Sequence, residues 1–273
     1  MDKLRDAWKR AKRQRNKSRG LPATEDVGTI ANVLITLRSM AELHLAQDVT
    51  AAVTATPNLP GLGREDLEDA MEYARMKLLR SYNYFGDVDE VSAAYAALGN
   101  GLCQYPEDIQ SCEDEGRDMP YYRVLSISFT QLLLSLKMSS CGSPALCSVY
   151  ISEDDFDLGL RFKNSYGPEW SYWTAVRRSI RRFAELQSGI DKLQLCGEAA
   201  SNENFLEALR SALRDLEPRT EVAIGGSGRL EPLSLAARGA AELAKRFQVM
   251  TWNCVEPRRC NETETLGGPI GDL

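Results

Sequence analysis

A single histidine, His44, serves the whole 273-residue chain. That scarcity excludes histidine-rich metal sites, and any Cys–His nucleophilic pair would depend on one residue. The seven cysteines include no CxxC pair, and their spacings are too wide for the usual zinc knuckles. No apolar run reaches the roughly 18 residues that a membrane-spanning helix needs. The opening stretch MDKLRDAWKRAKRQRNKSRG lacks the apolar segment of a secretory signal. The expectation is therefore an intracellular, cytoplasmic protein, with a nuclear location as the alternative offered by its basic start. In a reducing cytosol the cysteines are expected to serve as small core residues. GxSxG elbows, Walker loops and HExxH helices are also absent.

What is present is unevenly charged. Residues 1–20 hold nine Lys/Arg and two acids, and the remainder carries −13 of an overall −6. An acidic body argues against a broad nucleic-acid surface. The basic tail reads as a solvated, frayed terminus in which Leu4, Trp8 and Ala11 share one face of a short helix. Nuclear import, nucleic acid and anionic lipid are its functional alternatives.

Along the chain, Ile30, Val33, Leu34, Leu37, Met40, Ala41 and Leu45 form a helical stripe that predicts one inward face. The stretch DVTAAVTATP predicts a strand, REDLEDAMEYARMKLL a helix with Leu67, Ala70, Met71, Ala74 and Leu78 inward, RSYNYF a second strand, and DVDEVSAAYAALGNGL a further helix. Such alternation implies a parallel α/β layer. The acidic stretch at 103–119 reads as a loop and a lobe boundary. Beyond it, YYRVLSISFTQLLLSLKMSS predicts two strands, and GPEWSYWTAVRRSIRRFAELQSG an amphipathic helix with Trp170, Trp173, Val176, Ile180 and Phe183 on its apolar side. The arginine row opposite it, Arg177, Arg178, Arg181 and Arg182, is either a solvated face paired with acids or a phosphate contact. LQLCGEAASNENFLEALRSAL then reads as strand, glycine turn and capped helix. The small residues of LSLAARGAAELAKRF let a backbone or a flat ligand come close.

Several of these segments together resemble the actin, hexokinase and seventy-kilodalton heat-shock chaperone ATPases. More narrowly, they look like the chaperone-like, actin-like ATPase-domain proteins of filamentous fungi. TIANVLITLRSMAELHLAQDVTAAVTATP and DVDEVSAAYAALGNG are similar to the chaperones' helix, their VITVPA strand and their EPTAAALAYG helix. LQLCGEAASNENFLEALRSAL resembles their adenosine segment, and ARGAAELAKR their closing helix. The resemblance spans most of residues 25–248 and implies a two-lobed actin-like ATPase fold, ribonuclease H-like in each half. The lobes are expected at 21–105 and 120–248, between a basic tail at 1–20 and a loose tail at 249–273.

The chain departs from that family where phosphate is held. It starts after the first phosphate hairpin. The place of the second phosphate loop, inside Tyr121–Leu136, holds neither glycine nor acid, and DFDLG at 155–159 comes too late to replace it. Most of the upper second lobe is missing as well. Phosphoryl transfer relies on positioning and charge neutralisation, so ATP hydrolysis and a resident metal are not expected. The resemblance leaves weak adenosine binding at Gly197, Glu198, Arg238 and Gly239. A cleft lined by Trp170, Trp173, Tyr121 and Tyr122 would instead take a small hydrophobic molecule. The leading expectation is a degenerate ATPase fold that acts by binding a small molecule or a protein partner. The alternatives are a cofactor-free cyclase or isomerase in a fungal specialised-metabolite pathway, and a residual nucleotide binder. The acids Glu153, Asp154, Asp155 and Asp157 are either a cation site or a solvated turn.

Overall fold

The structure, a computed structural model, describes residues 2–56, 61–79, 88–143, 145–186, 189–214 and 231–249. They divide into two compact units at 87/88 rather than at the acidic stretch 103–119. That stretch is not a loop throughout: Asp108 caps a helix there by accepting from the Ser111 amide. The expected strand at 80–85, the glycine-rich GGSG at 225–228, which lacks the flanking Lys or Asp of a phosphate loop and reads as a turn, and the tail from 250 onward lie outside the described residues.

The first unit contains α1 (Asp2–Ser18), α2 (Glu25–Leu45), β1 (Ala51–Ala52), α3 (Arg64–Tyr73) and β2 (Lys77–Leu78). Thr24 caps α2 by accepting from the Val27 amide, with Glu25 and Asp26 in the positive first turn. The strands pair in parallel, Ala51 with Lys77 and Ala52 with Leu78. Helix α3 stops at Tyr73 because the chain passes through Arg75 at φ 56°, so Leu78 lies in a strand and not on the predicted helix.

Two sequence expectations fail in this unit. The basic start is a helix held by side chains: Arg13 reaches Asp69 at 2.5 Å and Asp66 at 2.7 Å, and Lys17 reaches Asp69 at 2.6 Å. The stripe of α2 is also turned differently. Val27 and Ala31 are buried with Ala23 and Ala70, whereas Val33, Leu37, Met40 and Leu45 are exposed. Periodicity located an apolar face, but this unit is too small to cover all of it.

The second unit contains α4 (Glu90–Ala97), α5 (Ile109–Asp118), β3 (Tyr122–Phe129), β4 (Leu134–Gly142), β5 (Leu146–Asp155), a 3₁₀ helix (Leu160–Tyr166), α6 (Glu169–Glu185), β6 (Lys192–Cys196), α7 (Glu203–Leu213) and α8 (Leu235–Val249). Its sheet runs β5-β4-β3-β6, with the first three strands antiparallel and β6 parallel to β3. The pairs Leu125↔Met138, Ile127↔Leu136 and Phe129↔Leu134, with Leu193 and Leu195, form one apolar face. Onto it pack Val176, Ile180 and Phe183 of α6 and Phe205 and Leu209 of α7, all fully buried or nearly so. Phe129 and Phe205 stack at 4.3 Å. Each such side chain contributes about 2 kcal/mol by leaving water. The Asn202 side chain caps α7 by accepting from the amides of Asn204 and Phe205.

Four cysteines are not free thiols: Cys103 bonds to Cys112, and Cys141 to Cys147. The second pair faces across neighbouring strands, a juxtaposition set by register and not by sequence spacing. Bridges of this kind belong to oxidising surroundings, which does not fit the reducing cytosol expected above. Cys196 is free and buried.

Asp69 is the residue on which the docking of α1 turns. Burial alone raises its carboxyl; hydrogen bonds and charge from Lys17 and Arg13 outweigh it and hold the group below the ordinary carboxylate range. A depressed acid stabilises the fold fully above its unfolded value, about pH 4, and the gain fades as pH falls through the lower folded value. Asp69→Asn is expected to cost about 3 kcal/mol at neutral pH, and the gap from the parent should close on acidification. Urea denaturation of both proteins across pH checks this.

Candidate functional site

The turn between β3 and β4 is where the resemblance leads us to expect the second phosphate loop. A backbone turn binds an oxyanion when its amides are unclaimed and converge. Here each amide from 130 to 133 has a partner within the chain. Thr130 N donates to the Leu133 carbonyl at 3.0 Å. Leu132 N and Leu133 N both donate to Thr130 Oγ1, at 3.1 and 3.0 Å. Gln131 N donates to the carboxylate of Glu198 at 2.7 Å.

Glu198 reaches that position through the turn after β6. Gly197 has φ 96°, and a Cβ there would stand 2.3 Å from the Phe129 carbonyl oxygen, so a glycine is required on both counts. The Ala199 amide then donates to the same carbonyl at 3.1 Å. On a further side, Leu160 N and Arg161 N donate to the carbonyls of Thr130 and Gln131. The end of DFDLG thus lies against the turn, although chain order had set it apart. Gly197 and Glu198, expected to face a ligand, face the chain itself.

The other expected ligand residues are dispersed. Gly239 of α8 lies on α4, where a Cβ would come within 1.6 Å of the Ala93 carbonyl oxygen. Its smallness therefore serves a helix–helix crossing, and Arg238 beside it is exposed. Trp173 packs edge-on against Phe129, at the far end of β3, and donates Nε1–H to Glu169. Trp170 is 71 % exposed. Tyr122 opens β3 beneath Lys192, whose Nζ is 4.3 Å from the ring centroid, and Tyr121 is exposed beside Gly142. The eight residues from Tyr122 to Phe129 span about 23 Å of strand, so these four aromatics line no common cleft.

Sequence reasoning missed the opposite face of the same sheet. Ser126, Ser128, Ser135, Lys137, Ser139, Gln194 and Cys196 alternate with the apolar residues, and α4 covers them. The signal was the period-two polar set in VLSISF, LSLKMSS and LQLC, which alternation normally assigns to solvent. Gln194 Nε2 donates to the Val91 carbonyl at 3.1 Å and to Ser126 Oγ at 2.7 Å. Ser128 Oγ donates to Glu90 Oε1, and Lys137 Nζ lies 3.7 Å from Glu90 Oε2. A small cavity lined by Glu90, Ser128, Ser135, Lys137, Gln194 and Cys196 has room for about one water molecule. Gln194 Oε1 and Ser135 Oγ, both buried there, have no hydrogen-bond partner among the described residues. Burial, with the nearby Glu90 charge, pushes the Cys196 thiol well up and keeps it protonated and unreactive.

Three further candidates resolve plainly. His44 is exposed at the end of α2. Arg181 and Arg182 pair with Glu185 and Glu153, which favours the acid-paired reading of the arginine row. Among the described residues, no group of three or more His, Cys, Asp or Glu side chains suited to a metal occurs, and no helix is long and apolar enough to cross a membrane. No protein-family profile matches the chain, and no curated protein matches its sequence.

The crossing at Gly239 makes a prediction of unusual sign. In an open helix, Gly→Ala adds about 1 kcal/mol of stability. Gly239→Ala is instead expected to remove about 2 kcal/mol or more by forcing α8 away from Ala93. The urea midpoint of the variant decides between the two.

Proposed function

We propose that the chain is a degenerate actin-like ATPase fold, ribonuclease H-like in its second unit, which acts by binding a ligand or partner and does not hydrolyse ATP. The fold reading rests on the order of elements: an antiparallel meander, a helix, a parallel fourth strand beside the first, and a second helix on the same face. The functional reading rests on one observation. The turn that should cradle phosphate has its amides filled by Thr130 and Glu198. The residues present do not fit a polyphosphate: Glu198 would set a carboxylate against its oxygens, and phosphoryl transfer needs that charge neutralised.

Binding without chemistry also agrees with the side chains. Four of the described cysteines are bonded and the fifth is buried, so no thiolate nucleophile is at hand among them. The cyclase or isomerase alternative draws no support from the second unit, where the four aromatics stand apart. A nucleotide binder would need its adenosine contacts from Gly197 and Gly239, both closed against backbone.

Isothermal titration of the purified chain with ATP and Mg²⁺ tests this directly. The expected result is no saturable heat up to millimolar nucleotide. Sub-micromolar binding, or steady release of inorganic phosphate, would overturn the reading. A partner that co-purifies at fixed stoichiometry would support it.

A further inference from the structure

The N-terminal helix has two sides with different work. Arg13 and Lys17 point at α3 and are taken up by Asp66, Asp69 and Glu72. Roughly opposite them lie Trp8, Lys12 and Arg15, at i, i+4 and i+7, with Arg19 just past the last turn. All four are exposed, Trp8 to 65 %. Lys12 Nζ stands 5.5 Å from the Trp8 ring centroid, so cation and aromatic form one contiguous row. Lys12, Arg15 and Arg19 pair with no acid among the described residues. The row is about 16 Å long by helical rise. The ion pairs to α3 fix this helix, so the row is presented on a folded unit.

We infer that this outer row of α1 docks the protein on an anionic phospholipid surface. Charge complementarity supplies the first argument: three cations in line beside a tryptophan match acidic headgroups and the interfacial layer in which indole rings settle. Exposed apolar side chains separate lipid from nucleic acid as the partner. The same unit exposes Leu21, Val33, Leu37, Met40, Leu43 and Leu45. Val33, Leu37 and Met40 share one face of α2, and such exposed apolar side chains gain from the boundary between headgroups and acyl chains, whereas a phosphate backbone offers them nothing. From Thr29 to Leu45 the only charges on α2, apart from His44, are Arg38 and Glu42, and they pair with each other at 2.8 Å. The inference is independent of whether nucleotide binds elsewhere.

Flotation of the full chain with vesicles tests it, comparing pure phosphatidylcholine with phosphatidylcholine in which about a third of the lipid is phosphatidylserine. Binding is expected only to the serine-containing vesicles and is expected to vanish at about 0.5 M salt. The triple substitution Lys12→Glu, Arg15→Glu and Arg19→Glu should weaken it about a hundredfold, on roughly fivefold per cation removed. It should leave the urea midpoint unchanged, since none of the three touches α3. Trp8→Ala should abolish the blue shift of tryptophan emission on binding. Equal binding to both vesicle types, no binding to either, or a triple variant that binds like the parent would overturn the inference. So would tighter binding to a duplex oligonucleotide than to the anionic vesicles at the same salt.

Discussion

One carboxylate, that of Glu198, closes the turn between β3 and β4. The bond from the Gln131 amide to Glu198, at 2.7 Å, is charge-assisted, and its exposure to solvent holds its contribution to about 1 kcal/mol or less. It joins the turn after β6 to the turn after β3, and much of the second unit is arranged so that the two meet. Gly197 is needed for the approach, Ala199 returns a bond to Phe129, and Phe129 stacks on Phe205 directly beneath. A ligand anion could enter only by displacing Glu198 and the Thr130 hydroxyl together. The binding energy left after that exchange would be small, because one set of charge-assisted bonds replaces another.

The two faces of the sheet divide the labour of stability and specificity. The apolar face carries the hydrophobic free energy through α6 and α7. The polar face carries little of it. Buried polar groups are costly unless partnered, so the Gln194, Ser126, Ser128 and Glu90 bonds fix where α4 lies rather than adding much net stability. Helix α8 then rests on α4 through the bare backbone at Gly239. Of these contacts, the one at Gly239 closes a place where a ligand was expected.

How much of this could be read from sequence depended on the range of the interaction. Local signals were legible: the strand residues Leu193 and Leu195, a helix cap at Ser201 or Asn202 that the structure gives to Asn202, and the inward Val176, Ile180 and Phe183 all follow from spacing and side-chain chemistry. Signals that depend on a distant neighbour were not. The stripe on α2 was visible, but nothing in it says that Val33, Leu37 and Met40 lack a cover. The same limit explains the cysteines, since only the register places Cys141 opposite Cys147. Alternating serines look like a solvated face until α4 is known to cover them. At the site, the absence of glycine and acid in 121–136 was legible, whereas the Glu198 carboxylate that fills the turn comes from 67 residues away.

The account stands on the closure of one turn, and the backbone amides of Thr130, Gln131, Leu132 and Leu133 report it individually. Their resonances should be followed by NMR while ATP and Mg²⁺ are added to millimolar excess. The account predicts four slowly exchanging amides whose shifts do not move. Concentration-dependent shifts at these positions, with Gln131 leaving Glu198 to meet a phosphate, would contradict it.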